Sequence, residues 1–492
     1  MTPKSYLLES ANFDFGNGSR KYVRFIGEKA NVKKTHITFL VGANGTGKSR
    51  MLASVVDAFN DLHYRYSDVE TRHRYSASNA HNLPCSDIVA RHGGKVGETK
   101  FEMSQGELYG YPAFPSRMLA ISNLVIDKFP FRRETTNEDQ FYHYLGVRQA
   151  TNLTTTGSAD RAVAEAVIRM LSDAKRLKAF NSWIETVFGG EREVAFGFSR
   201  FKLIEIDRFI SSGDKIKYVQ NRLERRLGSK RAESVSEEEI KLMADSIEEL
   251  FLLLVKYAEG QVGGNKNIRS VIRLVSIGKQ DKENFSRLVV GFLAASRIGI
   301  SVWPSLLFES SIWLSFEELS SGQQNLLSVG AKVIAFSAPG CLVVIDEPEV
   351  SLNVVWQQRY IELLQKSLAG APGSHVIIAT HSPHMLSSAA LGTSSIVTIG
   401  RSDGEITFDV QDGIFEGWGS ESILYNVLQI PSASNYHLTR ELGAVLRHIQ
   451  EGGRDKEFLS SFMHKVSRID YAGIEPLELI VQEVRAYLER LA

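Results

Sequence analysis

Hydrophobic and polar positions along this chain recur at two periods, and each predicts a different kind of element. Short apolar runs read as buried strands: "ITFLV" at 37–41, "CLVVI" at 341–345 and "HVIIA" at 375–379. Longer segments with apolar residues every three or four positions read as helices. These include "RMLASVVDAF" at 50–59, "LLSVGAKVIAFS" at 326–337 and the stretch 154–188, with Thr155 or Ser158 as its cap. Helical periodicity continues through 214–230 and 236–260, without sustained heptads of the kind a long coiled coil needs. From about residue 421 the pattern breaks into three or more short helices. The alternation of apolar strands with helices predicts an α/β fold. Four segments follow: a mixed lobe over 1–150, a helical insertion over 151–265, a second mixed lobe over 266–415 and a helical C-terminal region over 416–492.

At 492 residues the chain exceeds what one compact core usually holds. Lys+Arg and Asp+Glu balance at 57 each, so any nucleic-acid surface must be a local patch. Two basic stretches qualify. Residues 19–36 carry six Lys/Arg against one Glu, and Arg222, Arg225, Arg226, Lys230 and Arg231 form a cluster on the insertion. Either is a candidate DNA contact, and the acidic run at 237–239 could instead balance the second. The two cysteines, Cys85 and Cys341, allow no disulfide framework, which fits a reducing cytoplasm. The N-terminus shows no signal pattern and no apolar run reaches membrane-spanning length, so a cytoplasmic location without membrane contact is expected. His63, His73, His81 and His92 are scattered at spacings that match no zinc pattern.

Between the first strand and its helix stands Gly42-Ala43-Asn44-Gly45-Thr46-Gly47-Lys48-Ser49, which matches GxxxxGK[ST] at every fixed position. Such a loop curls so that backbone N–H groups, here from Asn44, Gly45 and Gly47 onward, face phosphates. Lys48 would reach the β- and γ-phosphates of ATP, and the Ser49 hydroxyl would ligate Mg²⁺. The strand 342–345 ends in Asp346-Glu347. An acidic pair at the end of a buried strand is costly unless it works on a cation or on water. Asp346 is therefore expected to hold Mg²⁺ through water, and Glu347 to polarise the attacking water. His381, at the end of the next strand, is placed to sense the γ-phosphate. A polar stretch, "LSSGQQN" at 319–325, opens the apolar helix that precedes the acidic strand.

Together these motifs resemble the ABC-type ATPases: Walker A at 42–49, signature loop at 319–323, Walker B at 342–347 and switch histidine at His381. The resemblance implies that Ser321 and Gly322 cap the signature helix and, with Gln323, meet the γ-phosphate of ATP held by another subunit in a head-to-tail dimer or higher homo-oligomer. It also implies that Ser351 and Asn353 face that subunit. The residue of the family's glutamine loop stays open between Asp127, Gln140 and Gln149. The helical insertion and short tail are similar to the SMC-like ATPases of bacterial anti-phage defence, most of all the PtuA family of Septu and retron-associated systems, with the AriA family of PARIS a close competitor. What this implies is an ATPase that controls a separate nuclease effector, for PtuA the HNH protein PtuB. The C-terminal region is short for a Toprim nuclease, and no nuclease motif stands out, so no intrinsic nuclease is expected. The alternative is an SMC-like DNA-repair or chromosome-handling ATPase that clamps DNA itself.

Overall fold

The computed structural model describes residues 5–491 except 16–19, 29, 67–84, 95–96, 105–106, 110–113, 125, 131–140, 147–157, 229–231, 233, 260–267, 279–280, 283–288, 311, 391, 403–404, 412–416, 429–435 and 468–474. Its contacts divide the chain into two units. The first comprises Met1–Pro130, Pro339–Glu362 and Pro372–Ala492, and the second Phe131–Ala338 and Leu363–Ala371. Segment 266–338, including the signature loop, thus groups with the helical insertion. The C-terminal helices group with the Walker motifs.

The first unit contains two sheets. One is antiparallel, with β1 (Ser5–Asp14) between β2 (Arg20–Arg24) and β4 (Cys85–Gly94), then β5 (Gly97–Ser104) and β6 (Glu107–Tyr109). The other runs β16 (Glu405–Gln411), β15 (Ser394–Ser402), β3 (His36–Gly42), β14 (His375–Ala379), β13 (Leu342–Asp346), β7 (Met118–Ser122). From β15 to β7 every pairing is parallel. Strands buried on both faces read as unbroken apolar runs, which is why β3, β13 and β14 stood out in the sequence. Register aligns Asp346 with Ala379 and Ser122, and Ala379 with Leu40. The carboxyl ends of four strands therefore finish in one row, the usual place for a ligand in an open parallel sheet.

A buried histidine ties the two sheets together. His375 is fully buried. Leu8 N–H of β1 donates to its Nδ1 at 3.0 Å, so the ring proton sits on Nε2, which lies 2.8 Å from Thr38 Oγ1 of β3. The Thr38 hydroxyl in turn donates to Phe25 O at 2.7 Å. His36 lies edge-on to His375 with ring centroids 5.6 Å apart. Burial and the neighbouring His36 push the His375 pKa well below the usual histidine value. The tail adds four helices, Ser420–Asn426, Tyr436–Gln450, Lys456–Ser467 and Glu475–Leu491, around a small core that includes Leu438, Leu459, Leu477 and Val484.

In the second unit β9 (Val194–Ser199) lies between β10 (Ile268–Arg273) and β11 (Ser305–Phe308), and β12 (Leu314–Ser315) extends the sheet beyond β11. β8 (Tyr142–Tyr144) also belongs to this unit. This antiparallel sheet is absent from the sequence reading, which treats the insertion as helical. Its short strands carry too little pattern to separate from helix starts. The helices Lys215–Leu227 and Glu237–Tyr257 follow the predicted stretches, and Arg200–Ile210 is a further helix outside them. Helix 158–170 begins at Ser158, and Thr155 lies outside the described residues.

Two members of the basic cluster on this unit, Arg222 and Arg226, make internal bonds. Arg222 pairs with the buried Glu205 at 2.6 Å and with Tyr218 Oη at 3.0 Å, and Arg226 donates to Ser296 O. Arg225 is exposed, and Lys230 and Arg231 lie outside the described residues. Of the acidic run, Glu239 pairs with Arg297 rather than with that cluster. Two of the five cations of the candidate DNA surface thus have partners within the chain. Among the described residues no helix is long and apolar enough to cross a membrane.

His375 yields a pH prediction. Its folded pKa is depressed, so the unfolded chain binds the proton first, and stability falls as pH drops below the unfolded value of about 6.5. Chemical denaturation between pH 7.5 and 5.5 should show a loss approaching about 1.4 kcal/mol per pH unit from this residue. His375→Gln should be less stable at pH 7.5 but lose that share of the slope. An unchanged slope in the variant would show that the latch does not titrate as argued.

Candidate nucleotide site

The loop after β3 owes its shape to backbone positions that only glycine tolerates well. Gly42 has φ +158°, and a Cβ there would lie 2.5 Å from Ile399 O of β15. Gly47, at φ +94°, turns the chain into the helix Lys48–Tyr66. Thr46 Oγ1 closes the turn on Ala43 O at 2.9 Å. Lys48 is buried, and its ammonium donates to Gly42 O at 2.9 Å and Ala43 O at 3.2 Å. Burial lowers its pKa, against the raising influence of Glu347, Asp346 and Glu349. Asn44 and Gly45 form the exposed crest of the loop.

Ser49 and Asp346, far apart in sequence, meet here. Ser49 Oγ donates to Asp346 Oδ1 at 2.9 Å. Asp346 is 1% exposed, and its carboxyl is pushed up to about 7 by burial. Glu347, Asp127 and Glu349 push the same way, and the Ser49 hydroxyl opposes them. A hydroxyl and a carboxylate are hard oxygen donors of the kind Mg²⁺ prefers, and that ion usually keeps waters and phosphate oxygens as its other ligands. Among the described residues no group of three or more His, Cys, Asp or Glu side chains could hold a metal ion. Asp127 is buried and close enough to Asp346 to affect it, whereas Gln140 and Gln149 lie outside the described residues. Of the remaining histidines, His63 stacks edge-on to Phe114 and His92 lies on β4. His73 and His81 fall outside the described residues.

Glu347 sits in the left-handed region at φ +48°, uncommon for a side chain of this size. Its Oε1 lies 3.4 Å from His381 Nε2, and this contact holds its carboxyl below the usual range. Glu349 reaches the same loop: its Oε1 accepts the His381 backbone N–H at 2.6 Å, and burial pushes its carboxyl up. Glu349 was not singled out from sequence, because only the fold brings the turn after β13 against the loop after β14.

On the second unit, the signature helix spans Ser321–Phe336. Its N-cap is Ser320, which corrects the assignment of the cap to Ser321 and Gly322. Ser320 Oγ accepts from Gln323 N, and Gln323 Oε1 reaches back to Ser320 N at 3.2 Å, completing a capping box. That S-x-x-Q spacing was legible in the sequence. Ser321 and Gly322 are thus the first two helical residues, whose N–H groups have no intrahelical carbonyl to bond. Gln323 is committed to the cap. Gln324 Nε2 lies 3.1 Å from each of the Phe316, Glu317 and Leu319 carbonyls and ties the loop down. Gly330 lets the helix approach Trp183, whose Nε1 donates to Leu326 O at 3.1 Å.

Comparison with known proteins adds to this geometry. Residues 169–387 match a family described as "AAA domain, putative AbiEii toxin, Type IV TA system". The match takes in the signature loop, Walker B and the switch histidine and leaves out the phosphate loop. The chain is 28% identical over 204 residues to the Septu protein PtuA of Bacillus thuringiensis, a match spanning 36% of this chain and 49% of that protein. The chain thus spans about half the length of that relative. Solved structures that the chain matches include the SMC head domain from Thermotoga maritima (TM-score 0.32, 12% identity, 82% of this chain and 99% of that one). Another is the Smc head of Pyrococcus furiosus bound to the C-terminal domain of ScpA (TM-score 0.31, 11% identity, 83% and 96%). In sequence, then, this α/β chain is similar in part to an AAA-domain family and to the Septu protein PtuA.

Proposed function

We propose that the chain binds and hydrolyses ATP as an ABC-type ATPase, pairs head-to-tail with a second copy of itself, and controls a separate nuclease effector. The observation that carries the ATPase reading is the convergence of Lys48, the Ser49–Asp346 pair and the Glu347–His381 pair at the carboxyl ends of β3, β13 and β14. Backbone N–H groups of the loop and the N-terminus of helix Lys48–Tyr66 favour a polyphosphate. Lys48 would leave its two carbonyls for the β- and γ-phosphate oxygens. Ser49 and Asp346 would hold Mg²⁺, which neutralises phosphate charge when bound. Glu347, whose carboxyl the His381 contact holds below the usual range, can accept a hydrogen bond from the attacking water and orient it. His381 would donate to a γ-phosphate oxygen from the same hydrogen-bonded pair.

The uncapped N–H groups of Ser321 and Gly322 suit a phosphate, and the trans reading assigns that phosphate to the nucleotide of the partner copy, across a seam that Ser351 and Asn353 would line. Effector control rests on the similarity to PtuA.

Two measurements test the reading. Lys48→Ala should abolish ATP binding in calorimetry. Glu347→Gln should bind ATP normally and turn it over at least ~100-fold more slowly. Turnover near wild type in Glu347→Gln would move the catalytic carboxylate elsewhere. For the effector, co-expression with the neighbouring reading frames should yield a stable complex with a nuclease by native mass spectrometry, whereas the highly purified chain leaves DNA intact. Metal-dependent cleavage by the chain alone, lost on changing its own tail, would contradict effector control.

A further inference from the structure

We propose that Glu349 is a positioning residue, which fixes the switch histidine by gripping the backbone of the loop that carries it. The inference rests on reading His381 as the group that faces the γ-phosphate. Three consecutive residues of that loop are held through this one carboxylate. Its Oε1 accepts the His381 N–H at 2.6 Å. The Thr380 hydroxyl lies near enough to the same carboxylate to lower its pKa, and it accepts from Ser382 N at 2.9 Å. The far side of the loop is anchored by Ser382 Oγ on Gln357 Oε1 at 2.7 Å and by Thr380 N on Leu40 O at 3.1 Å. The His381 ring is held at its other end by Glu347. Glu349 and Glu347 lie in one tight turn after β13, closed by Val350 N on Glu347 O and Leu352 N on Glu349 O, with Ser351 at φ +68°. One turn thus sets both the backbone and the ring of His381.

A stabilising role alone explains this arrangement poorly. Glu349 Oε2 is buried and makes no hydrogen bond, and the buried Tyr360 hydroxyl nearby makes none either. A carboxylate kept out of water with half its acceptor capacity unused costs stability. Its retention is accounted for by the charge-assisted bond to His381, which is stronger than a neutral acceptor would make. Because the same turn leads to Ser351 and Asn353, movement there would be felt directly at His381.

Hydrogen exchange of the nucleotide-free protein reads the grip without relying on catalysis. In Glu349→Ala the amide of His381 should exchange about tenfold faster or more, and in Glu349→Gln, which keeps an acceptor, protection should largely return. Glu349→Leu, of similar volume, should behave like Glu349→Ala and serves if the smaller variant does not fold. In ATPase assays Glu349→Ala should lower kcat while ATP affinity stays at the wild-type level. Placed in a His381→Ala background, it should lower kcat no further. Unchanged exchange at His381, or full additivity of the two substitutions, would overturn the proposal. A wild-type chain that does not hydrolyse ATP would instead defeat the ATPase reading, and the exchange result would still decide the role of Glu349.

Discussion

The site is governed by the crowding of four acidic side chains at the end of a buried sheet. Burial raises the carboxyl of Asp346 to about 7, and Glu347, Asp127 and Glu349 lie close enough to push it the same way. Such a cluster is stable only where cations and fixed donors offset it. The chain supplies Lys48, the Ser49 hydroxyl, the His381 ring and the His381 backbone N–H, one for each kind of need. Much of the fold nearby serves to bring those donors to that point. The parallel register lines up the strand ends, Gly42 and Gly47 let the loop curl, and the left-handed turn at Glu347 aims one acid outward while Asp346 points in. The His375–Thr38 latch fastens β1 behind the same strands.

Polar groups distributed in this way link binding to geometry. A nucleotide with its metal would replace the internal partners of Lys48 and Asp346 with phosphate and cation, which offset the charge of the acidic cluster. The parts that answer to this exchange are short turns rather than long elements. The turn 347–353 and the loop 380–382 are joined by Glu349, and the second of them runs directly into the short helix Pro383–Leu386. In that helix His384 Nδ1 meets Ser420 Oγ at the start of the tail at 2.9 Å. A change at His381 therefore has a bonded route toward the C-terminal helices.

Much of the site was legible in the sequence because its chemistry demands particular residues at fixed local spacing. Lys48 and Ser49 follow from one loop, Asp346 and Glu347 from one strand end, and the apolar runs of β3, β13 and β14 are unmistakable because both faces are buried. What the sequence did not reveal depends on distant packing. Glu349 acquires meaning only once β14 lies beside β13. The grouping of segment 266–338 with the helical unit is set by contacts such as Trp183 against Gly330 and Lys332 to Leu145 O, which have no local signature. The cap at Ser320 is a different case: its capping box was present in the letters but masked by the more conspicuous Ser321-Gly322. Charge spacing at Arg222 likewise does not reveal that the buried Glu205 pairs with it.

The central claim is that each nucleotide is held by the Walker residues of one chain and closed by the signature helix of another. Mixing two inactive variants tests it most directly. Lys48→Ala lacks the phosphate-binding cation, and Ser321→Arg obstructs the signature N-terminus while leaving Lys48 intact. In a mixed dimer one site takes Lys48 from the second variant and Ser321 from the first, and the other site carries both lesions. ATPase activity, absent from each variant alone, should return in part once subunit exchange is verified by mass spectrometry. Exchange without any return of activity, together with an ATP-analogue structure in which residues 319–325 touch only their own chain's nucleotide, would contradict it.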